Sequence, residues 1–462
     1  MSDDARADRP RVVPGLTRRQ MLRGLIGGLG LPAVSALLAA CGAESADELG
    51  LDRLGSEPTG NGKSVSFLSI QPHARAARQL ARDFQVATGA TVGVTIVPYD
   101  QIRAKAIVDV QSGAADYDVF DYWYTTVGEL AHHGVLEDLT KFIEQSRDIF
   151  PNDFIASIYD PYTLVDGRRW GLPFDGDSHV LFYNEELLAA SGFGGPPTTW
   201  DRYLQMASKI TRDHPDGSVY GAVLPAQAAP IIIGSSFANR LAGFGGRFLD
   251  DNGRPALDRR AVAAAASLLA VAPFTPVPAK IAFDAALAMF LSGRAAMLEF
   301  WTDLGVYAED PKMSKVRGKW GVTSLPVGGS NAKPVAALNA GFALGVSRAS
   351  RNKELAKRFV KFATSKQVNL ELITTGGSGV DPTRRSTLTA PRYTSFAPKV
   401  QRAARAALSG NGAISWPTND KSPALMEKLS DQLSLMLQGR KTPETAVADA
   451  QAAWEQVLAD PS

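Results

Sequence analysis

The spacing of apolar and polar positions changes several times along the chain. Residues 64–69, Ser-Val-Ser-Phe-Leu-Ser, read as a short strand, and 74–88 carry Ala77, Leu80, Ala81 and Phe84 at helical spacing before Gly89 ends the run. Alternation over 91–97 and a helix over 101–112, closing at Gly113, complete a β-α-β-α opening whose strands are expected to be parallel. In open sheets of that type ligands meet the carboxyl ends of the strands, which puts Gln71, Pro72 and His73 at a cleft edge. His73 itself reads as a loop or surface histidine rather than a ligand. The next strand, within 117–124, reads Tyr-Asp-Val-Phe-Asp-Tyr-Trp-Tyr, and a helix and turn follow over 127–139. Further on, helices are expected at about 200–210, 231–241, 260–272, 283–291, 353–364, 422–437 and 442–458, with strands at 220–224, 293–301 and 319–325.

One stretch organises the rest. Residues 170–184 begin apolar, break at Asp175-Gly176-Asp177 and resume as Val180-Leu181-Phe182-Tyr183, an extended segment interrupted by a polar turn. Two carboxylates at a strand break are costly unless they meet water, a cation or hydroxyl groups, and Gly176 permits backbone geometry that other residues resist. The stretch therefore reads as a hinge with a ligand site beside it; Asp175 and Asp177 as plain turn formers is the alternative. Asp121, Tyr122 and Trp123, where a strand meets a loop, offer aromatic faces and a carboxylate to a neutral polyol, with at least one ring expected to pack under the following helix.

Composition and charge narrow the choice. Lys+Arg number 49 against Asp+Glu 47 and are dispersed, which excludes a nucleic-acid partner. No glycine-rich phosphate loop, Gly-x-Ser-x-Gly elbow or His-Glu-x-x-His is present, and no metal or other cofactor is expected. Arg18-Arg19 stand before a weakly apolar run, 24–40, that carries glycines and Pro32 and is short for a membrane span; the layout is that of an export signal. The run ends Leu38-Ala39-Ala40-Cys41, and Cys41 is the only cysteine, so it has neither a disulfide partner nor companion ligands for zinc. Residues 41–63, rich in small and acidic residues, read as a tether, and the remaining 400 or so are too many for one ordinary core.

Leu38-Ala39-Ala40-Cys41 resembles a lipoprotein signal. That signal, the β-α-β-α opening, the Tyr-Asp-Val strand running into aromatics, Gly134-Val135-Leu136-Glu137-Asp138-Leu139, and then 171–184, follow one another in an order that resembles the extracellular solute-binding proteins of ABC importers. Within them the chain is similar to the carbohydrate-binding group that includes maltose-binding proteins. The resemblance implies an α/β fold of two lobes joined by three crossing segments (type II). Residues 1–40 would be the twin-arginine export signal, 41–63 the lipidated tether, 64–174 and 333–380 lobe 1, and 175–332 and 381–462 lobe 2. It implies acylation of Cys41, a periplasmic or cell-surface location on a lipid anchor, a monomer, a sugar or polyol ligand, and ABC permease subunits as partners. Ligand-facing positions carried over on this basis are Ser236, Trp301, Asp303, Asn339, Gly341, Ser378, Arg384 and Trp416, beside Asp121, Tyr122, Trp123, Asp175 and Asp177, whereas Trp200 is implied to be packing. A lipid-anchored glycoside hydrolase, with Asp121 and Asp177 as its two carboxylates, and a binder of another solute such as a glycerophosphodiester are the rival readings.

Overall fold

The structure is a computed structural model and describes residues 63–176, 178–408 and 413–461, all within one unit by their contacts. Arg18, Arg19, Cys41 and Asp177 lie outside the described residues. In chain order the strands are β1 (Ser64–Ile70), β2 (Thr91–Val97), β3 (Val119–Trp123), the short hairpin β4 (Leu164–Val165) and β5 (Arg168–Arg169), then β6 (Leu172–Asp175) and β7 (His179–Asn184). They are followed by β8 (Met297–Trp301), β9 (Trp320–Thr323), β10 (Ala336–Leu338), β11 (Phe342–Val346) and β12 (Ala413–Ser415).

The first lobe is built on a five-stranded sheet of order β2-β1-β3-β11-β6. As the β-α-β-α reading requires, β1 is parallel to both β2 and β3, while β11 runs antiparallel to β3 and β6. Strand β1 is interior and buries Val65, Phe67, Leu68 and Ile70 on both faces, whereas β2, at the edge, stays partly exposed. The helix Ala74–Thr88 lays Ala76, Ala77, Leu80 and Phe84 on this sheet and stops at Gly89, whose left-handed φ of 75° lets its N–H reach the Gln85 carbonyl.

The second lobe carries the antiparallel sheet β8-β7-β9. Around it stand the helices Trp200–Asp213, capped by Thr199 Oγ1 accepting from the Arg202 N–H at 3.2 Å, and Pro230–Gly243. One expectation fails locally. Residues 220–224 make only isolated bridges to the β8 side, at Tyr220 and Val223, because Gly221 is pressed against the Trp200–Asp213 helix, where a Cβ would lie 2.1 Å from the Ala207 carbonyl oxygen. The helix and turn expected over 127–139 are present: the helix ends at His132, and the chain turns at Gly134, φ 63°. Among the described residues no helix is long and apolar enough to cross a membrane.

The chain passes between the lobes at 175–179, at 339–341 and through the strandless stretch 376–384. Gly176 is required here for a reason other than backbone freedom. A Cβ on it would sit 2.0 Å from the Pro382 carbonyl oxygen, so the first and third crossings run in backbone contact.

Candidate ligand site

At the carboxyl end of β1 the structure corrects the reading of His73 as a surface residue. Its ring is buried, edge-on to Phe174 and Phe342, and lies between two acids: Nδ1 is 2.7 Å from Asp121 Oδ2 and Nε2 is 3.4 Å from Asp175 Oδ2. Ser69 Oγ donates to the same Asp121 oxygen at 2.7 Å, and Asp175 Oδ1 accepts from the Asp381 N–H at 2.7 Å. Burial alone opposes charge on the ring, but the pull of Asp121 and hydrogen bonds to both carboxylates outweigh it and raise the His73 pKa to about 10. Asp121 and Asp175, expected to face a ligand or a turn, are thus committed to a buried clamp that joins the strand ends of lobe 1 to the first and third crossings. A lone sequence does not show that two acids 54 positions apart share one histidine.

A second cluster lies where β7, β8 and the second crossing meet. Glu299 and Arg240, both fully buried, form a bidentate pair at 2.8 and 2.9 Å. Asn239 Nδ2 lies 3.0 Å from Glu299 Oε2 and 2.8 Å from His179 Nδ1, while Asn239 Oδ1 accepts from Asn339 Nδ2 at 2.8 Å. The His179 ring meets the Trp301 indole edge-to-face at 4.3 Å. Trp123, only partly buried, donates its indole N–H to the Asn339 carbonyl at 3.2 Å and so brings lobe 1 to the same place. Burial depresses the His179 pKa to about 3, against a small opposing contribution from Asn239, so the ring is neutral. Four buried polar atoms of this cluster have no hydrogen-bond partner among the described residues: His179 Nε2, Trp301 Nε1, Asn339 Oδ1 and Arg240 Nε. Asp303 Oδ1 is a fifth, two residues beyond Trp301, and burial, then the nearby charges of Asp381 and Asp175, push the Asp303 pKa well up.

Of the positions expected to face ligand, Trp123, Trp301, Asp303 and Asn339 fall at or beside this cluster. Ser378 lies with Asp303 and Tyr307 along a narrow pocket of the third crossing. Other expected positions are spent elsewhere. The Tyr122 hydroxyl donates to the Tyr162 carbonyl and Ser236 Oγ to the Pro225 carbonyl. Gly341 makes room for the Tyr162 ring, since a Cβ there would lie 2.0 Å from its Cζ. Arg384 is buried, with Nε on the Thr364 carbonyl, Nη2 on the Ile149 carbonyl and its guanidinium over Phe154. Trp416 stacks on Phe248 at 4.0 Å inside lobe 2. His179 was missed, and His73 was placed at the cleft edge but read as a surface histidine; the usable sign was that each follows a strand end or a crossing break. Beside Trp123, a cavity of about 210 Å³ runs between Tyr99, Arg103 and Thr126 on one side and Ile231 and Met426 on the other.

Two α/β lobes joined by three crossings, with unpaired polar groups gathered at the junction, define a periplasmic-type binding protein. The chain belongs to the bacterial extracellular solute-binding protein family, whose profile matches residues 69–370. It is 28% identical over 389 residues, 82% of this chain and 85% of the other, to a probable amino-acid ABC transporter periplasmic-binding protein of Sinorhizobium fredii. It is 25% identical over 315 residues, 64% of this chain and 67% of the other, to the mannitol-binding protein of Pseudomonas aeruginosa. Its fold matches the ABC transporter solute-binding protein of Agrobacterium radiobacter crystallised with ribitol, at a TM-score of 0.77 and 24% identity over 86% of this chain and 99% of that one.

Proposed function

We propose that the protein captures a neutral polyol or sugar between its lobes and delivers it to the membrane subunits of an ABC importer. The reading rests on one observation, the buried and uncharged set of His179 Nε2, Trp301 Nε1 and Asn339 Oδ1 without partners among the described residues. Each such atom costs about 1–3 kcal/mol while unbonded, and a hydroxyl-bearing ligand relieves that cost. The mannitol-binding relative and the ribitol-bound fold neighbour support the same class. A zwitterionic amino acid, which the Sinorhizobium relative's name raises as a second reading, needs fixed charges of both signs, and this set offers none. The two lobes close because the ligand touches both and binds the closed form better.

Thermal-shift and calorimetric titration with ribitol, mannitol, mono- and disaccharides, glycerophosphodiesters and amino acids tests this; binding of amino acids alone overturns it, and cleavage of a disaccharide makes the protein an enzyme. With the best ligand, Trp301→Phe keeps a ring but loses the N–H and is expected to weaken binding about tenfold. Trp123→Ala should cost about 1–3 kcal/mol of binding, and Asp177→Asn roughly ten- to a hundredfold in affinity.

We assign Cys41 as the acylated residue of a monomer tethered to a membrane and exported through a twin-arginine signal. Cys41→Ser is then expected to release the protein into the soluble fraction or leave it unprocessed, and lysines at 18 and 19 to block export. An unchanged membrane fraction that still takes up labelled lipid contradicts the assignment.

A further inference from the structure

Hydrogen-bond chemistry at Glu299 settles the orientation of every group above it. A carboxylate without its proton only accepts, so the Asn239 atom 3.0 Å from Glu299 Oε2 must be the amide nitrogen. The bidentate Arg240 pair puts an N–H donor on each Glu299 oxygen, so both oxygens act as acceptors, and Arg240 Nη1 is also on the Ser236 carbonyl at 3.0 Å. The second hydrogen of the same nitrogen points at His179 Nδ1, 2.8 Å away, which therefore accepts and leaves the ring proton on Nε2. The Asn239 oxygen in turn faces Asn339 Nδ2, so the Asn339 oxygen is turned away from Asn239 and is buried with no partner among the described residues.

Resting on the polyol reading of this site, we propose that Glu299, through Asn239, is the specificity-determining positioning residue: it makes His179 a donor at Nε2 and Asn339 an acceptor at Oδ1, a polarity that selects hydroxyl groups and rejects carboxylates. A hydroxyl both accepts and donates, so a chain of hydroxyls that reaches them satisfies His179 Nε2 and Asn339 Oδ1 together. A ligand carboxylate accepts from His179 but is repelled by the Asn339 oxygen, and an ammonium group has the converse conflict. Neither Glu299 nor Asn239 needs to touch the ligand for this.

The test uses the full mature chain, with D-mannitol and ribitol as probes and ¹⁵N-histidine NMR to read the proton position on His179. In the natural sequence the Nε2–H pattern is expected. In Glu299→Gln, Arg240 holds the one remaining oxygen and the new amide nitrogen faces Asn239, which flips; the proton then moves to Nδ1 and mannitol affinity falls at least about tenfold. Asn239→Ala, which leaves the Glu299–Arg240 pair intact, is expected to give a mixture of the two ring tautomers and serves if Glu299→Gln does not fold. A role in stability alone lowers the melting temperature but leaves the Nε2–H pattern unchanged in the folded protein, and that pattern retained in both variants overturns the proposal. If the natural sequence binds neither mannitol nor ribitol nor any other polyol or sugar, the functional reading fails, while the ring signature still decides whether Glu299 orients the site.

Discussion

His73→Ala is expected to lower the unfolding free energy by roughly 3–5 kcal/mol, because it strands two buried carboxylates. Asp121 keeps only the Ser69 hydroxyl and Asp175 only the Asp381 N–H once the ring between them is gone. The effect depends on pH in a set direction. The His73 pKa lies at about 10 in the folded chain against an ordinary 6.5, so between those values the folded form holds a proton that the unfolded form releases. Its contribution is complete below about pH 6.5 and is lost as pH rises through 10. Urea unfolding at pH 6, 8 and 10 measures this, and adding Asp121→Asn to His73→Gln should restore part of the loss. An alanine variant as stable as the parent at pH 6 shows that the clamp contributes nothing.

Trp200→Ala is expected to destabilise the protein by about 3–5 kcal/mol. Trp200 opens its helix, is buried, and supports the Arg240 guanidinium at 4.5 Å from its ring. Gly243 packs so closely on it that a Cβ would lie 2.2 Å from Nε1, so neighbouring backbone has no side chain with which to fill the gap. Comparison with Trp301→Phe separates core from site: calorimetry should find the ligand affinity of Trp301→Phe reduced with a small change in unfolding, and Trp200→Ala the reverse. Exchange of the two patterns means that site and core have been assigned the wrong way round.

Many of the helices were legible because their signals are local. Leu80 and Phe84 lie on one face of a helix, Gly89 stops it, and Thr199 starts another, all within a few residues of the effect. Candidate-site positions were legible where a residue type announces itself at a strand end or a crossing, as Trp123, Trp301, Asp303 and Asn339 do. Polar pairing over distance left no mark in the string. Arg384 found the carbonyls of Thr364 and Ile149 where a ligand was expected, and nothing near it in sequence distinguishes those acceptors. His179 stayed hidden because a buried neutral histidine is set apart only by what it meets, and its partner Asn239 lies sixty positions away.

Strand β11 sits inside the first sheet, between β3 and β6, and pairs Phe342 with both Trp123 and Asp175. Both flanking strands are made long before it. A chain still growing through the second lobe therefore carries two unpaired strand edges that only its own later residues can cover. Bringing β11 into place closes a loop that contains all three strands of the second-lobe sheet β8-β7-β9, a slow step in which the open edges are free to pair with another chain. Biosynthesis thus leaves the first-made half of the protein dependent on a segment from the last third, and chaperone demand should peak in nascent chains that end before residue 346.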